Sequence, residues 1–202
     1  MFTCTRGIWE RKTNMRICVI RHGESETHKA GNWTGWLDVP LTEKGKADAG
    51  KAGDFLKGFA FDKVLSSDLG RAKETAEIAL PGCCPETSQL LREIDVGNLS
   101  GKPISTLSEE ERICTSKYGY GDFDGETREH FDSRIRQVIR ELEGLDCENV
   151  ALFTHRGWML GFLEAVTGTP LLRKHVHCGN CAVGVFEFKN GAWQLYSWIN
   201  FA

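Results

Sequence analysis

Met15-Arg16-Ile17-Cys18-Val19-Ile20-Arg21-His22-Gly23-Glu24 is the stretch on which the fold turns. Residues 16–20 read as a buried strand, with Cys18 as a small hydrophobe inside it. The apolar run stops at Arg21-His22-Gly23-Glu24, so His22 sits at the carboxyl end of a central strand. Open α/β sheets place their ligand crevice there. A lone histidine in that position is more often structural than functional, so its partners elsewhere in the chain decide.

Working outward, residues 1–14 carry Arg6, Arg11 and Lys12 but no apolar segment, so they do not read as a secretory signal. They read as a dispensable extension, with a transit peptide as a weaker option, ahead of a single domain over 15–202. Four further strands are predicted: Lys63–Ser66, Asn149–Thr154, Ala182–Phe188 and Trp193–Trp198. Val150-Ala151-Leu152-Phe153 is continuously apolar, as expected of a strand covered on both faces. Lys189-Asn190-Gly191 supplies hairpin chemistry between the last two.

Helical spacing lies between the strands. Ala52, Phe55, Leu56 and Phe59 share one helix face, with Thr42 as N-cap and Glu43 in the first turn. Phe131, Ile135, Val138, Leu142 and Leu145 repeat that spacing. Residues 156–166 are apolar nearly all round, which predicts a buried helix. The alternation implies an α/β fold: a three-layer α/β/α sandwich with a mostly parallel sheet and an antiparallel pair at one edge. Residues 97–125 break the pattern, with Gly119, Gly121 and Gly125 set among Tyr118, Tyr120 and Phe123. They read as a lid-like insertion or as a variable surface loop.

Twenty-five basic residues face 28 acidic ones, a formal charge of −3 that offers no excess for nucleic acid or an anionic membrane. No run of about 18 apolar residues occurs, so no membrane-spanning helix is expected. The eight cysteines form no compact disulfide framework, which suits reduced thiols and a cytoplasmic location. Oligomeric state stays open, a homodimer being one option.

Two further strand ends carry polar groups. His155 follows Val150–Thr154 and opens the buried helix, where free N–H groups favour an anion. Arg71 opens the helix after Val64-Leu65-Ser66-Ser67. Three strand ends thus converge cationic or potentially cationic side chains, which points to a phosphate pocket.

With these motifs assembled, the chain resembles the histidine phosphatase superfamily, which includes cofactor-dependent phosphoglycerate mutases. The resemblance rests on Arg21-His22-Gly23-Glu24, Gly35-Trp36-Leu37-Asp38-Val39-Pro40-Leu41-Thr42, Ser66-Ser67-Asp68-Leu69-Gly70-Arg71-Ala72 with Thr75-Ala76, Leu91-Arg92-Glu93-Ile94-Asp95-Val96-Gly97, Gly125-Glu126-Thr127 and Phe153-Thr154-His155, in the family's order over about residues 15–200. It implies that His22 is a nucleophile forming a phosphohistidine, its other ring nitrogen donating to a fixed acceptor such as a backbone carbonyl. Arg21, Arg71 and His155 would bind the phosphoryl oxygens, and Glu93 would serve as acid and then base. Neither metal nor cofactor is implied.

Three departures shape the expectation. His28 stands six residues after the nucleophile, where many members have Asn. Arg156 follows the second histidine, where small residues are common. The segment Gly101–Gly125 is shorter than in the mutases and lacks an Arg pair, and Val96 replaces a Tyr found in them. His28 and Arg156 are therefore candidate phosphate contacts, and Trp33, Tyr118 and Tyr120 candidate substrate-lining residues. The expected activity is hydrolysis of a small phosphorylated metabolite, with a sugar, nucleoside-like or hydrophobic leaving group. Alpha-ribazole phosphate, sugar phosphates and phosphoglycerate-type esters all fit. A mutase-type phosphotransferase and a non-catalytic phospho-ligand-binding module are the alternatives.

Two stretches mimic other sites. Gly45-Lys46-Ala47-Asp48-Ala49-Gly50-Lys51-Ala52 matches most of a P-loop, but Ala52 replaces the hydroxyl residue and no strand leads into it. His175, His177, Cys178 and Cys181 offer metal-ligand or redox chemistry, but crowd one short segment rather than forming two separated pairs.

Overall fold

The computed structural model describes residues 14–169 and 175–201. The expected extension lies outside the described residues except for Asn14, which begins the first strand instead of ending a tail. Six strands form one sheet: β1 (Asn14–Arg21), β2 (Lys63–Ser67), β3 (Glu86–Ser88), β4 (Asn149–Thr154), β5 (Val183–Lys189) and β6 (Ala192–Ile199). Their order is β3-β2-β4-β1-β5-β6. The first four run parallel, while β5 joins β1, and β6 joins β5, by antiparallel pairing. Asn190 and Gly191 both take positive φ at the β5–β6 turn, which is the conformation that dipeptide favours.

Around the sheet lie α1 (Glu26–Lys29), α2 (Glu43–Leu56), α3 (Gly70–Ala79), α4 (Glu109–Tyr118), α5 (Arg128–Glu143) and α6 (Arg156–Thr167). Alternate residues of the central strands build two cores. Ile17, Val19, Val150 and Leu152 pack with Phe131, Ile135, Val138, Trp158 and Phe162 of α5 and α6. Cys18, Ile20, Ala151 and Phe153 face Leu56, Ala76 and Ala79 of α2 and α3. Each large apolar side chain so buried contributes about 1.5–3 kcal/mol before the entropy of ordering it. Helices on both faces complete the three-layer sandwich.

Three element predictions needed correcting, the first being α5, which ends at Glu143 and leaves Leu145 beyond its Gly144 cap. β3 was not predicted: Glu86-Thr87-Ser88 has no apolar alternation and is a strand because its backbone pairs with β2. α2 starts at its Thr42 cap, whose hydroxyl accepts from Gly45 N, but ends at Leu56 and does not reach Phe59. Lys57-Gly58 turn the chain there, and Phe59 instead stacks on Phe61.

Residues 97–125 consist of α4 and single 3₁₀ turns at Gly97–Leu99, Ile104–Thr106 and Gly121–Phe123. A reciprocal capping box between Ser108 and Glu111 starts α4. Val96, Leu99, Leu107 and Tyr120 form a small core of their own beneath this segment. Among the described residues no helix is long and apolar enough to cross a membrane.

Candidate active site

β1 and β4 are neighbours in register, Arg21 opposite Thr154, so His22 and His155 each stand one residue beyond a paired position. The His22 N–H continues the ladder to Thr154 O at 2.9 Å. The two imidazole rings lie 5.0 Å apart, edge to face. Glycines admit the close packing of the turn after His22: a Cβ on Gly23 would come within 2.5 Å of Gly45 O at the start of α2.

His22 Nδ1 lies 2.6 Å from Gly23 O, so that nitrogen carries the proton and donates. Nε2 is left with its lone pair, toward which Arg71 Nε points at 3.3 Å. Burial first, then Arg71 and Arg21, hold the His22 pKa well below its ordinary value. The ring is therefore neutral at neutral pH, the state a nucleophile needs.

Arg21 and Arg71 flank it, both buried. Arg21 Nη1 donates to Cys178 O at 2.7 Å, while its Nε has no partner among the described atoms. Arg71 also donates to Leu37 O and Gly35 O, at 2.7 and 2.8 Å, and so ties the 35–37 loop to the pocket. Burial lowers both guanidinium pKa values, that of Arg71 to about 10. His155 is fully buried at the N-cap of α6, and both its ring nitrogens lack a hydrogen-bond partner among the described residues. Burial, then Arg71, puts its pKa well below normal.

Glu93 lines the same cleft as His22. Its two carboxylate oxygens accept the N–H groups of Ile94 and Gly157, each at 3.0 Å. Trp36 Nε1 holds the Glu93 carbonyl at 2.7 Å. The cleft these groups border has a volume of about 400 Å³.

Arg21, His22, Arg71, Glu93, His28, Arg156, Trp33 and Tyr120 all line that cleft, whereas His155, fully buried, packs against His22 without being one of the lining residues. Trp33 and Tyr120 meet edge to face at 5.7 Å, and burial raises the Tyr120 phenol to about 12. The His28 pKa is lowered by desolvation first, then by Arg21. Tyr118 does not belong to the site. It is 60% exposed, with Lys117 Nζ over its ring at 4.8 Å. The reason is helical phase: Arg112, Thr115 and Ser116 of α4 face the cleft, and Tyr118 projects from another side. Gly119, at φ 86°, then turns the chain and brings Tyr120 inward.

Sequence reading missed two cleft arginines. Residues 101–125 contain no Arg pair, but the fold brings Arg112 of α4 together with Arg128 of α5 and Arg156 of α6. The recurrence of Arg112 and Thr115-Ser116 on one helix face was the available signal. Of the other candidates, Gly45–Ala52 is simply part of α2. Cys178 and Cys181 are buried in separate clusters, beside Met159 and beside Ala49 and Ala52 respectively. Among the described residues no group of three or more His, Cys, Asp or Glu side chains is arranged to hold a metal.

The profile described as "Histidine phosphatase superfamily (branch 1)" matches residues 17–200. The chain belongs to this superfamily. Among its relatives, the Salmonella choleraesuis protein named "Probable phosphoglycerate mutase GpmB" is 28% identical over 194 residues, 92% of this chain and 90% of that protein. Solved structures share the fold. Phosphoglycerate mutase from Bacillus anthracis superposes with TM-score 0.81 at 24% identity, over 93% of each chain. Mycobacterial glucosyl-3-phosphoglycerate phosphatase Rv2419c does so with TM-score 0.78 at 22% identity, over 92% of this chain and 98% of its own. Proteins named as a phosphatase and as a mutase thus share this fold.

Proposed function

We propose that the protein hydrolyses a small phosphomonoester through phosphorylated His22, and that the substrate carries a second anionic group. The carrying observation is the neutral His22, its Nε2 lone pair beside Arg71, lining the same cleft as Glu93. In the first step Nε2 attacks phosphorus, the ester P–O bond breaks, and the leaving oxygen takes the proton of the Glu93 carboxyl. In the second, the Glu93 carboxylate takes a proton from water, whose oxygen attacks phosphorus. The P–N bond breaks, releasing phosphate and restoring the lone pair. Arg21, Arg71 and His155 hold the equatorial oxygens, with His28 at the edge of the same charge field.

The second anion is inferred from uncompensated charge. Arg128 is paired with Asp132 and Glu164. Arg112 and Arg156 line the cleft, and the described residues offer their side chains neither a hydrogen bond nor an ion pair. A carboxylate or second phosphate on the leaving group suits that surplus better than the neutral sugar or hydrophobic group expected from the aromatic residues.

The test is phosphate release from a panel of metabolite phosphomonoesters in the presence of EDTA, with wild type, His22→Ala and Glu93→Gln. Release should survive EDTA, vanish in His22→Ala, and be accompanied by an acid-labile, alkali-stable phosphoenzyme. Release that persists in His22→Ala overturns the scheme. Transfer between positions of one substrate, dependent on a bisphosphate primer and without net phosphate release, would make the protein a mutase.

A further inference from the structure

Four consecutive carbonyls, Leu90 to Glu93, each accept a side-chain donor instead of a sheet or helix partner. Leu90 O takes Trp158 Nε1 at 2.9 Å and Arg134 Nη1 at 2.8 Å. Leu91 O takes the Thr154 hydroxyl at 2.7 Å. Arg92 O takes Arg134 Nη1, and Glu93 O takes Arg134 Nη2, both at 2.8 Å. Arg134 also donates from Nε and Nη2 to the two oxygens of Glu126, at 2.8 and 2.9 Å. All five guanidinium N–H donors are thereby engaged, and both side chains are buried.

We infer that the buried Glu126–Arg134 pair is a positioning device for Glu93. The inference rests on the reading of Glu93 as acid and base. Arg134 has no donor left for substrate, so it acts through the loop it holds. Glu126 accounts for its charge: a buried guanidinium is tolerated only when paired and fully hydrogen-bonded. Glu126 reaches further, its N–H donating to Asp95 O at 2.9 Å and its carbonyl accepting Tyr120 N at 2.8 Å. One ion pair therefore joins the acid's loop to the cleft wall that carries Tyr120. Lysine could keep the charge beside Glu126, but has neither the planar fork nor enough donors for three carbonyls as well.

The experiment compares an alkyl phosphate, whose leaving oxygen needs a proton, with 4-nitrophenyl phosphate, whose phenolate leaves unaided. Wild type, Glu93→Gln, Arg134→Lys and the milder Trp36→Phe, which removes the other bond to the Glu93 carbonyl, are assayed for kcat/KM on both, which reports transfer to His22 and excludes the later hydrolysis that the two esters share. Arg134→Lys should lose about 10–10²-fold on the alkyl ester and much less on the aryl ester, reproducing in weaker form the selectivity of Glu93→Gln. Equal losses on the two esters would reduce Arg134 to a structural role and overturn the inference. Should Arg134→Lys fail to fold, Trp36→Phe carries the same comparison. If Glu93→Gln itself shows no leaving-group selectivity, the acid assignment is what fails.

Discussion

Gly157 and Glu93 share a space that admits no side chain. The Gly157 N–H donates to Glu93 Oε2 at 3.0 Å, and a Cβ built on Gly157 would collide with Glu93 Oε1. The residue that lets Glu93 dock on the start of α6 is thus also the residue that limits how closely it can dock. Gly157→Ala should displace the carboxylate and lower kcat on alkyl phosphates by about 10²-fold. Alanine is the better helix former by about 0.5–1 kcal/mol, so urea unfolding should show no comparable loss of stability. A variant with full kcat would mean that the observed Glu93 position is not the working one.

The two buried histidines predict an acid-side loss of stability. Both have folded pKa values below the unfolded value of about 6.5. As pH falls below about 6.5 the unfolded chain therefore binds protons that the folded chain refuses, and stability declines until the folded values are reached. Thermal melts in phosphate-free buffer should give a Tm that drops between about pH 6.5 and 5. His155→Gln should reduce that slope.

Arg112 and Arg156 predict a KM effect confined to anionic esters. A charge-assisted hydrogen bond contributes about 1.5–3 kcal/mol, so Arg156→Gln should raise KM about tenfold or more on a phosphorylated carboxylate. An ester of a neutral alcohol should be little affected. Equal rises on both would place Arg156 at the transferred phosphoryl group instead.

Asp38 caps α3 from a distant loop, its Oδ1 accepting Gly70 N at 2.6 Å. Asp38→Ala should cost about 1 kcal/mol, read as a lower urea midpoint at unchanged slope. Because the capped turn carries Arg71, the same variant should also weaken inhibition by inorganic phosphate.

What could be read from the sequence follows from where the chemistry sits. Arg21, His22, Arg71 and His155 stand at or just past strand ends, so continuous apolar runs such as Val150–Phe153 locate them without any knowledge of packing. Glu93 came only through the motif around it, since the loop that bears it is held by neighbours far away in sequence. Tyr118 and Tyr120 were indistinguishable as letters. Their exchange of inside for outside depends on the phase of α4 and the turn at Gly119. Arg134 was invisible for a different reason: its partners are mostly carbonyls, which every residue possesses. Gly125-Glu126-Thr127 marked one end of that network but gave no hint of the other.

The ladder between β1 and β4 sets the separation of the two histidines in units of a residue pair. A slip by a single position would turn one imidazole to the opposite face of the sheet, so no intermediate spacing is accessible. The spacing of His22 and His155 consequently cannot be tuned by degrees, whereas the wall from Ile104 to Tyr120 stands outside that lattice. Changes of substrate can be sought in that wall, and at Trp33 and Arg156 beside it, by exchanging side chains while the spacing of the two histidines stays fixed.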